Sequence, residues 1–269
     1  MHRPHGGKLI NRILNQEQKD KFSQQLDKLY HLQLSQELTQ DVFNITCGVY
    51  SPLEGFLGQE DYINVLDNRR LAGGLAWTVP IVLDVTQSEA NQLSRQNQVC
   101  LLSPNQKPIA ILHLKEIYQF NKEELALKVF GTNDPAHPGV AKAMQMKERL
   151  VAGEIDLLSE PELPFDQFTL KPLETRILFE QKGWTEIVGF QTRNVPHLGH
   201  EFVQKTALAF TDGLFINPVI GRKKKGDFRD QVILDAYQAL IKNYYLKEKS
   251  VMSVLNMQMR YAGPREAIF

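Results

Sequence analysis

The spacing of apolar residues changes near residue 165, and this change divides the chain into two parts. Before it, the pattern predicts a helix from Gln16 to Tyr30, with Asn15 as N-cap, followed by strands. The predicted strands cover residues 79–85, 109–120 and 125–130. We therefore expect residues 1–165 to form one domain dominated by β-structure.

Beyond that point, short apolar runs alternate with amphipathic helical patterns. The predicted elements are a strand at 187–190, a helix at 197–210, a strand at 214–216, a helix at 230–245 and a strand at 250–255. This alternation is typical of a parallel sheet covered by helices, in which ligands bind at the carboxyl ends of the strands. A polar, proline-punctuated stretch precedes it, so we expect a linker at 166–173 and an α/β domain at 174–269.

Charge is distributed unevenly between the two parts. Residues 1–170 hold 16 basic and 21 acidic side chains, whereas residues 171–269 hold 15 and 10. An anionic ligand is therefore expected in the second part. This bias is too small for nucleic acid, whose phosphates require a basic surface.

Other features of the composition are those of an ordinary globular protein. No apolar run reaches the roughly 18 residues of a membrane span, and no signal-peptide core follows Met1. Cys47 and Cys100 belong to no CxxC motif, so reduced thiols and a cytoplasmic location are expected.

The most informative segment runs from Gly189 to His200 and joins the predicted strand at 187–190 to the following helix. A helix N-terminus offers unpaired N–H groups and a positive dipole end to phosphate. His197 and His200 are three residues apart and would share one helix face, and Gly199 would let a nucleotide lie against the backbone. The remaining polar donors of the segment are Gln191, Thr192, Arg193 and Asn194.

The histidine pair could also have a structural role or bind a metal. Paired histidines on a helix are often surface or core residues, and an isolated HxGH motif is a weak signal. Zinc would need a third and a fourth ligand, which no nearby His, Cys or acidic pair supplies, so we expect no metal ligand here.

Several blocks of the chain resemble those of one enzyme family. Their residue ranges are 48–56, 137–139, 191–200, 204–207, 212–221, 223–228 and 259–267. In this order they resemble the ATP sulfurylases, which are sulfate adenylyltransferases of the HxGH nucleotidylyltransferase superfamily. The resemblance implies a PUA-like N-terminal domain followed by a Rossmann-like nucleotidylyltransferase domain.

The resemblance also implies roles for individual residues. Thr192, Arg193 and Asn194 would form the catalytic loop, and Gln191 and Arg193 would bind sulfate. The residues implied in ATP binding are Gln191, Thr192, Arg193, Asn194, His197, Gly199 and His200. The implied ligands are ATP with Mg²⁺, sulfate and pyrophosphate, without nucleic acid or membrane, and a full-length enzyme could form a homo-oligomer.

Some expectations remain open on the sequence alone. The match stops at Phe269, whereas the family continues through a Gly-Arg-Asp-His block, so the α/β domain is expected to be incomplete at that end and residues 1–269 alone to lack turnover. The alternatives are a non-catalytic remnant that binds anions or a partner, and a different nucleotidyltransferase of the superfamily. The basic run Arg222–Lys225 is either a solvated loop or an anion-attracting one. No P-loop is present, so a fused kinase is not supported.

Overall fold

The computed structural model describes residues 2–221, 228–245 and 247–269. Contacts divide the chain into two compact units. The N-terminal unit consists of His5–Pro161 together with Arg260–Phe269, and the C-terminal unit consists of Glu162–Met259 together with the first residues of the chain. The last ten residues thus return to the N-terminal unit, which the linear pattern does not indicate.

The N-terminal unit is built on a six-stranded sheet. Its strands are β1 (Tyr30–Gln33), β2 (Gly55–Phe56), β3 (Leu83–Val85), β4 (Gln98–Leu102), β5 (Pro108–Gln119) and β6 (Arg149–Leu157). β1 runs parallel to β4, and the other pairings are antiparallel. β5 and β6 form the long central ladder, and the predicted strand at 109–120 is confirmed as β5.

Residues 5–161 also contain six α-helices, more than the sequence pattern predicts. They are α1 (Gln16–Ser23), α2 (Gln36–Thr46), α3 (Gln59–Asn68), α4 (Gln87–Leu93), α5 (Lys122–Phe130) and α6 (Pro138–Gln145). The capping box between Asn15 and Gln18 that begins α1 is confirmed. Beneath the helices, Cys47 and Cys100 are buried free thiols.

Three of the predicted elements in this unit are wrong in extent or type. The helix expected over 16–30 ends at Ser23, and it cannot reach Tyr30 because that residue pairs with Val99 in the sheet. The strand expected over 125–130 is the end of α5, whose N-cap Asn121 accepts hydrogen bonds from the backbone of the first turn. The strand expected over 79–85 is reduced to β3. Proline at 80 cannot donate to a ladder, which is consistent with the shortening.

The C-terminal unit has the alternating order of elements that the sequence predicts. Its elements are α7 (Pro172–Gln181), β7 (Ile187–Thr192), α8 (Leu198–Leu208), β8 (Gly213–Ile220), α9 (Asp230–Tyr244), β9 (Ser250–Met252) and β10 (Leu255–Asn256). All pairings are parallel: β7 lies on one side of β8, and β9 and β10 lie in succession on the other. β8 is buried along most of its length, as a central parallel strand should be.

The residues expected to form a linker are hydrogen-bonded to the C-terminal unit. A short 3₁₀ turn spans Asp166–Phe168, and the Phe168 carbonyl accepts from the Val254 N–H at 2.9 Å. The Leu170 N–H donates to the Ser253 hydroxyl at 2.8 Å. Across the described residues, no helix is long and apolar enough to span a lipid bilayer.

The last helix, α10 (Pro264–Ile268), belongs to the N-terminal unit. Its Arg265 guanidinium donates to the carbonyls of Val65 and Leu66 at 3.1 and 2.9 Å. The Glu266 carboxylate accepts from two backbone N–H groups of the preceding turn. The contacts of Arg265 and Glu266 are therefore structural, since both side chains bind backbone groups of the N-terminal unit.

Candidate functional site

The candidate site is the junction at which β7 ends and α8 begins. Gln191 is exposed near the end of β7, whereas Thr192 is only 8 % exposed. The Thr192 hydroxyl accepts a hydrogen bond from the Asn194 N–H at 3.2 Å, which stabilises the turn that leaves the strand. Arg193 and Asn194 are exposed on this turn. The four polar residues of the predicted loop therefore lie together, and three of them face solvent.

His197 is the N-cap of α8 and not a residue of its first turn, so the helix begins one residue later than expected. Its Nδ1 accepts a hydrogen bond from the Gly199 N–H at 3.1 Å. Because an accepting ring nitrogen carries no proton, the neutral ring has its proton on Nε2. The cap therefore leaves His197 with an N–H that can donate to a ligand. Pro196 directly precedes this cap.

The rings of His197 and His200 are stacked, with centroids 3.8 Å apart and planes 25° apart. His200 is half-buried, and Phe190 packs edge-on against its ring at 5.5 Å. Burial lowers the pKa of His200, and the neighbouring His197 lowers it further. Since a charged imidazole loses hydration in this position, the neutral form of His200 is favoured at neutral pH.

The rest of the first turns of α8 is also polar on one side. The Glu201 carboxylate pairs with Lys205, one turn further along the helix. The Lys205 ammonium lies over the rings of Tyr244 and Tyr245, at 5.9 and 5.7 Å from their centroids. An acidic side chain close to the helix N-terminus is thus neutralised by its own neighbour, which limits its repulsion of an anion.

A cluster of buried polar side chains lies behind the loop, and the sequence pattern does not predict it. It consists of Thr192, Gln204 on α8, Tyr237 on α9 and Tyr245 at the end of that helix. The helical periodicity places Tyr237 on the apolar face of α9, which is where it lies. That pattern does not show which polar atoms its hydroxyl meets, because those atoms come from other elements.

Three further features lie outside this loop. The basic run Arg222–Lys225 lies outside the described residues. Within the described ranges, no group of three or more His, Cys, Asp or Glu side chains is arranged to hold a metal ion. The turn at Ser51 in the N-terminal unit is architectural, since its hydroxyl accepts from the Ile10 N–H at 3.0 Å and donates to the Gly48 carbonyl at 2.7 Å.

Comparison with known proteins assigns both parts of the chain. A family model described as PUA-like domain matches residues 2–160, and one described as ATP-sulfurylase matches residues 166–269. A sulfate adenylyltransferase of Hyperthermus butylicus is 54 % identical over 266 residues, which are 99 % of this chain and 68 % of that protein. A sulfate adenylyltransferase of Pyrococcus abyssi is 52 % identical, over 99 % of this chain and 69 % of its own.

One solved structure has the same fold over the whole chain. It is titled a hexameric APS kinase from Thiobacillus denitrificans, with a TM-score of 0.76 and 22 % identity. The match covers 100 % of this chain and 49 % of that one, and at this identity it bears on the fold alone. The similarity to these relatives does not favour the two alternatives, a non-catalytic remnant or a different nucleotidyltransferase. With a PUA-like domain followed by a nucleotidyltransferase domain, the chain belongs to the sulfate adenylyltransferase, or ATP sulfurylase, family.

Proposed function

We propose that the native gene product catalyses the attack of sulfate on the α-phosphorus of ATP, which forms adenylyl sulfate and releases pyrophosphate. One observation carries the proposal. The stacked pair His197 and His200 lies at the N-terminus of α8, directly after an exposed polar loop, in a chain that is 54 % identical to a sulfate adenylyltransferase. A helix N-terminus at the carboxyl end of a parallel strand is a common place to bind phosphate.

The reaction needs positioning and charge neutralisation more than proton transfer. A sulfate oxygen forms a bond to the α-phosphorus while the bond from that phosphorus to the bridging oxygen of pyrophosphate breaks. Sulfate is already a dianion, so no general base is required. The barrier comes from bringing two anions together in line, which fixed donors and cations lower.

We assign sulfate to Gln191 and Arg193. Both side chains are exposed at the end of β7, and Arg193 forms no ion pair with a carboxylate in the described parts of the chain. Its guanidinium is therefore available to offset the charge of an incoming anion. The planar fork can donate two parallel hydrogen bonds to sulfate oxygens, and the Gln191 amide can add a neutral donor. Thr192, Arg193 and Asn194 together form the catalytic loop of this proposal.

We assign the ATP phosphates to His197, His200 and the backbone at Gly199. The His197 ring has its Nε2–H free of the capping bond, and Gly199 is exposed with no side chain to keep a nucleotide away. The dipole of α8 favours negative charge at this end. Mg²⁺ enters as part of the substrate MgATP, and the proposal requires no resident metal.

The proposal is tested by following pyrophosphate release from the native gene product at varied ATP and sulfate. We expect release only when both substrates are present, together with formation of adenylyl sulfate. A matched reaction without sulfate controls for simple ATP hydrolysis. Pyrophosphate release at the same rate with and without sulfate would contradict the proposal.

A further inference from the structure

A buried polar cluster lies directly beneath the proposed catalytic loop. Thr192 is 8 % exposed, Gln204 1 %, Tyr237 0 % and Tyr245 8 %. The four residues come from β7, α8, α9 and the residue that follows α9. The apolar cluster that includes Tyr237 and Tyr245 also packs against Val195, which is part of the loop. The loop is therefore supported from below by polar groups at one end and apolar contacts at the other.

The contacts of Gln204 define a direction for hydrogen bonding. The Tyr245 hydroxyl donates to the Gln204 carbonyl oxygen Oε1. The amide nitrogen Nε2 of Gln204 can then only donate, because an amide nitrogen has no acceptor capacity. The Tyr237 hydroxyl adjoins the side chains of Gln204 and Thr192.

The Tyr237 hydroxyl and Gln204 Nε2 are buried, and neither makes a hydrogen bond of full geometry with another described residue. Unmade hydrogen bonds of buried groups are costly, so a small tightening of the loop that completes them is favourable. Catalytic hydrogen bonds are often long before substrates bind and shorten in the complex. Because Gln204 Nε2 can only donate, a completed network would have Gln204 donating to Tyr237, which leaves the Tyr237 proton for Thr192.

The Thr192 hydroxyl can then still donate one hydrogen bond. Its two lone pairs accept from the Asn194 N–H, which it already does at 3.2 Å, and from Tyr237. A hydroxyl has two acceptor positions and one proton, so that proton is left for another partner. At the exposed junction above α8, the partner would be an anionic oxygen of the substrates.

We propose that Tyr237 is a positioning residue for this reaction: with Gln204 and Tyr245 it fixes the Thr192 hydroxyl as a hydrogen-bond donor toward the bound anions. This inference rests on the proposed function, since it concerns the same loop and the same substrates. Thr192 touches substrate in the proposal, whereas Tyr237 acts only through Thr192.

The first test compares Tyr237→Phe with the unmodified native gene product. We expect kcat for pyrophosphate release to fall about tenfold, as for the loss of one hydrogen bond that matters in the transition state, with little change in the melting temperature. Tyr62→Phe is the matched control, because Tyr62 is a buried tyrosine of the N-terminal unit with an unpartnered hydroxyl among the described residues. It should retain normal turnover.

The second test is a double-mutant cycle with Thr192→Val, which keeps the shape of Thr192 and removes its hydroxyl. Tyr237→Phe should lower kcat when Thr192 is present and change it little when it is combined with Thr192→Val, whereas Thr192→Ser should retain most activity. An equal loss of kcat in both backgrounds, or normal turnover of Tyr237→Phe, would overturn the role of Tyr237 and leave the proposed function standing. An unmodified protein without sulfate-dependent pyrophosphate release would instead overturn the proposed function, and this inference with it.

Discussion

The imidazole rings of His197 and His200 are stacked at 3.8 Å, and His197 Nδ1 caps α8 by accepting the Gly199 N–H. This arrangement separates two roles of His197. Asn is a good N-cap and can replace the capping bond, whereas Ala cannot. His197→Asn should therefore leave stability nearly unchanged, and His197→Ala should lower it by about 1 kcal/mol.

Both His197→Asn and His200→Asn should weaken the use of ATP much more than the use of sulfate, because the rings are assigned to the ATP phosphates. The measurement is pyrophosphate release by the native gene product with each substrate varied in turn. If His197→Asn keeps the fold and loses ATP affinity, the capping role of His197 and the role of its ring in ATP binding are distinct. Normal ATP kinetics in both variants would show that the pair is only structural.

A pH dependence of stability follows from His200. Burial and His197 lower its pKa below the ordinary value of 6.5, so the unfolded chain binds this proton at a higher pH than the folded chain. The stability that the neutral His200 side chain contributes is therefore fully present above about pH 6.5, and it is lost as the pH is lowered toward the folded pKa. Melting temperatures between about pH 8 and 5 should fall less steeply in His200→Asn than in the unmodified protein. The exposed His31→Asn is the control, and an unchanged slope in His200→Asn would refute the prediction.

Arg193 is the cation with the largest expected effect on turnover. It is exposed at the loop and has no carboxylate partner among the described residues, so its removal should leave the fold intact. Arg193→Ala should lower the rate of adenylyl sulfate formation by about a hundredfold or more. Arg193→Lys should also lose much of it, because an ammonium group cannot reproduce the planar fork.

The control for Arg193 is another cation of the C-terminal unit. Lys182 lies over the ring of Trp184, and Lys182→Ala removes the same charge at a different place. We expect this variant to keep normal turnover. Near-normal turnover of Arg193→Ala would remove that residue from the site.

The local structure of the candidate site was predictable because its signals are local. The end of a strand, a run of polar donors, a glycine and the start of a helix all occur between Gly189 and His200, where short-range geometry decides the structure. The same holds for the Asn15 capping box. The helix at 122–130 is ambiguous for a local reason too: its apolar residues Leu125 and Val129 also suit a strand, and an Asn such as the N-cap Asn121 is common in turns as well.

The supporting contacts could not be predicted in the same way. Tyr245 and Gln204 are 41 positions apart, and Arg260 and Asp41 are 219 positions apart. Periodicity shows which face of a helix is buried, yet it does not show which buried polar atoms meet. That choice is made by tertiary packing, where each polar group must find a partner or remain costly.

Removal of one member of the buried pair formed by Arg260 and Asp41 should strongly destabilise the N-terminal unit. Their side chains are 13 % and 4 % exposed, and Arg260 also binds Glu37 at 2.8 Å. Arg260→Met would leave the Asp41 carboxylate buried without its cation, so we expect a loss of about 3–5 kcal/mol. The free energy of unfolding is measured in urea for the unmodified protein, for Arg260→Met and for the double variant Arg260→Met/Asp41→Leu. The double variant should recover much of the loss, and equal stabilities of the single variant and the unmodified protein would contradict the argument.

Residues 1–269 should self-associate through α8. Leu198 and Phe202 are one turn apart on this helix and are 84 % and 72 % exposed, and Phe210 just beyond it is 80 % exposed. Among the described strands β7 pairs only with β8, so one of its edges is open. Exposed apolar patches and open edges favour contact with another copy of the chain.

We therefore expect this chain to form concentration-dependent oligomers, and Phe202→Gln to shift it toward the monomer. The substitution removes the aromatic ring from the centre of the patch and leaves the helix intact, because Gln is a good helix former. Leu127→Gln is the control, since Leu127 is 55 % exposed in the N-terminal unit. Light scattering over a range of concentrations measures the masses. If the unmodified chain stays monomeric throughout, or if both variants change its mass equally, α8 is not the surface responsible.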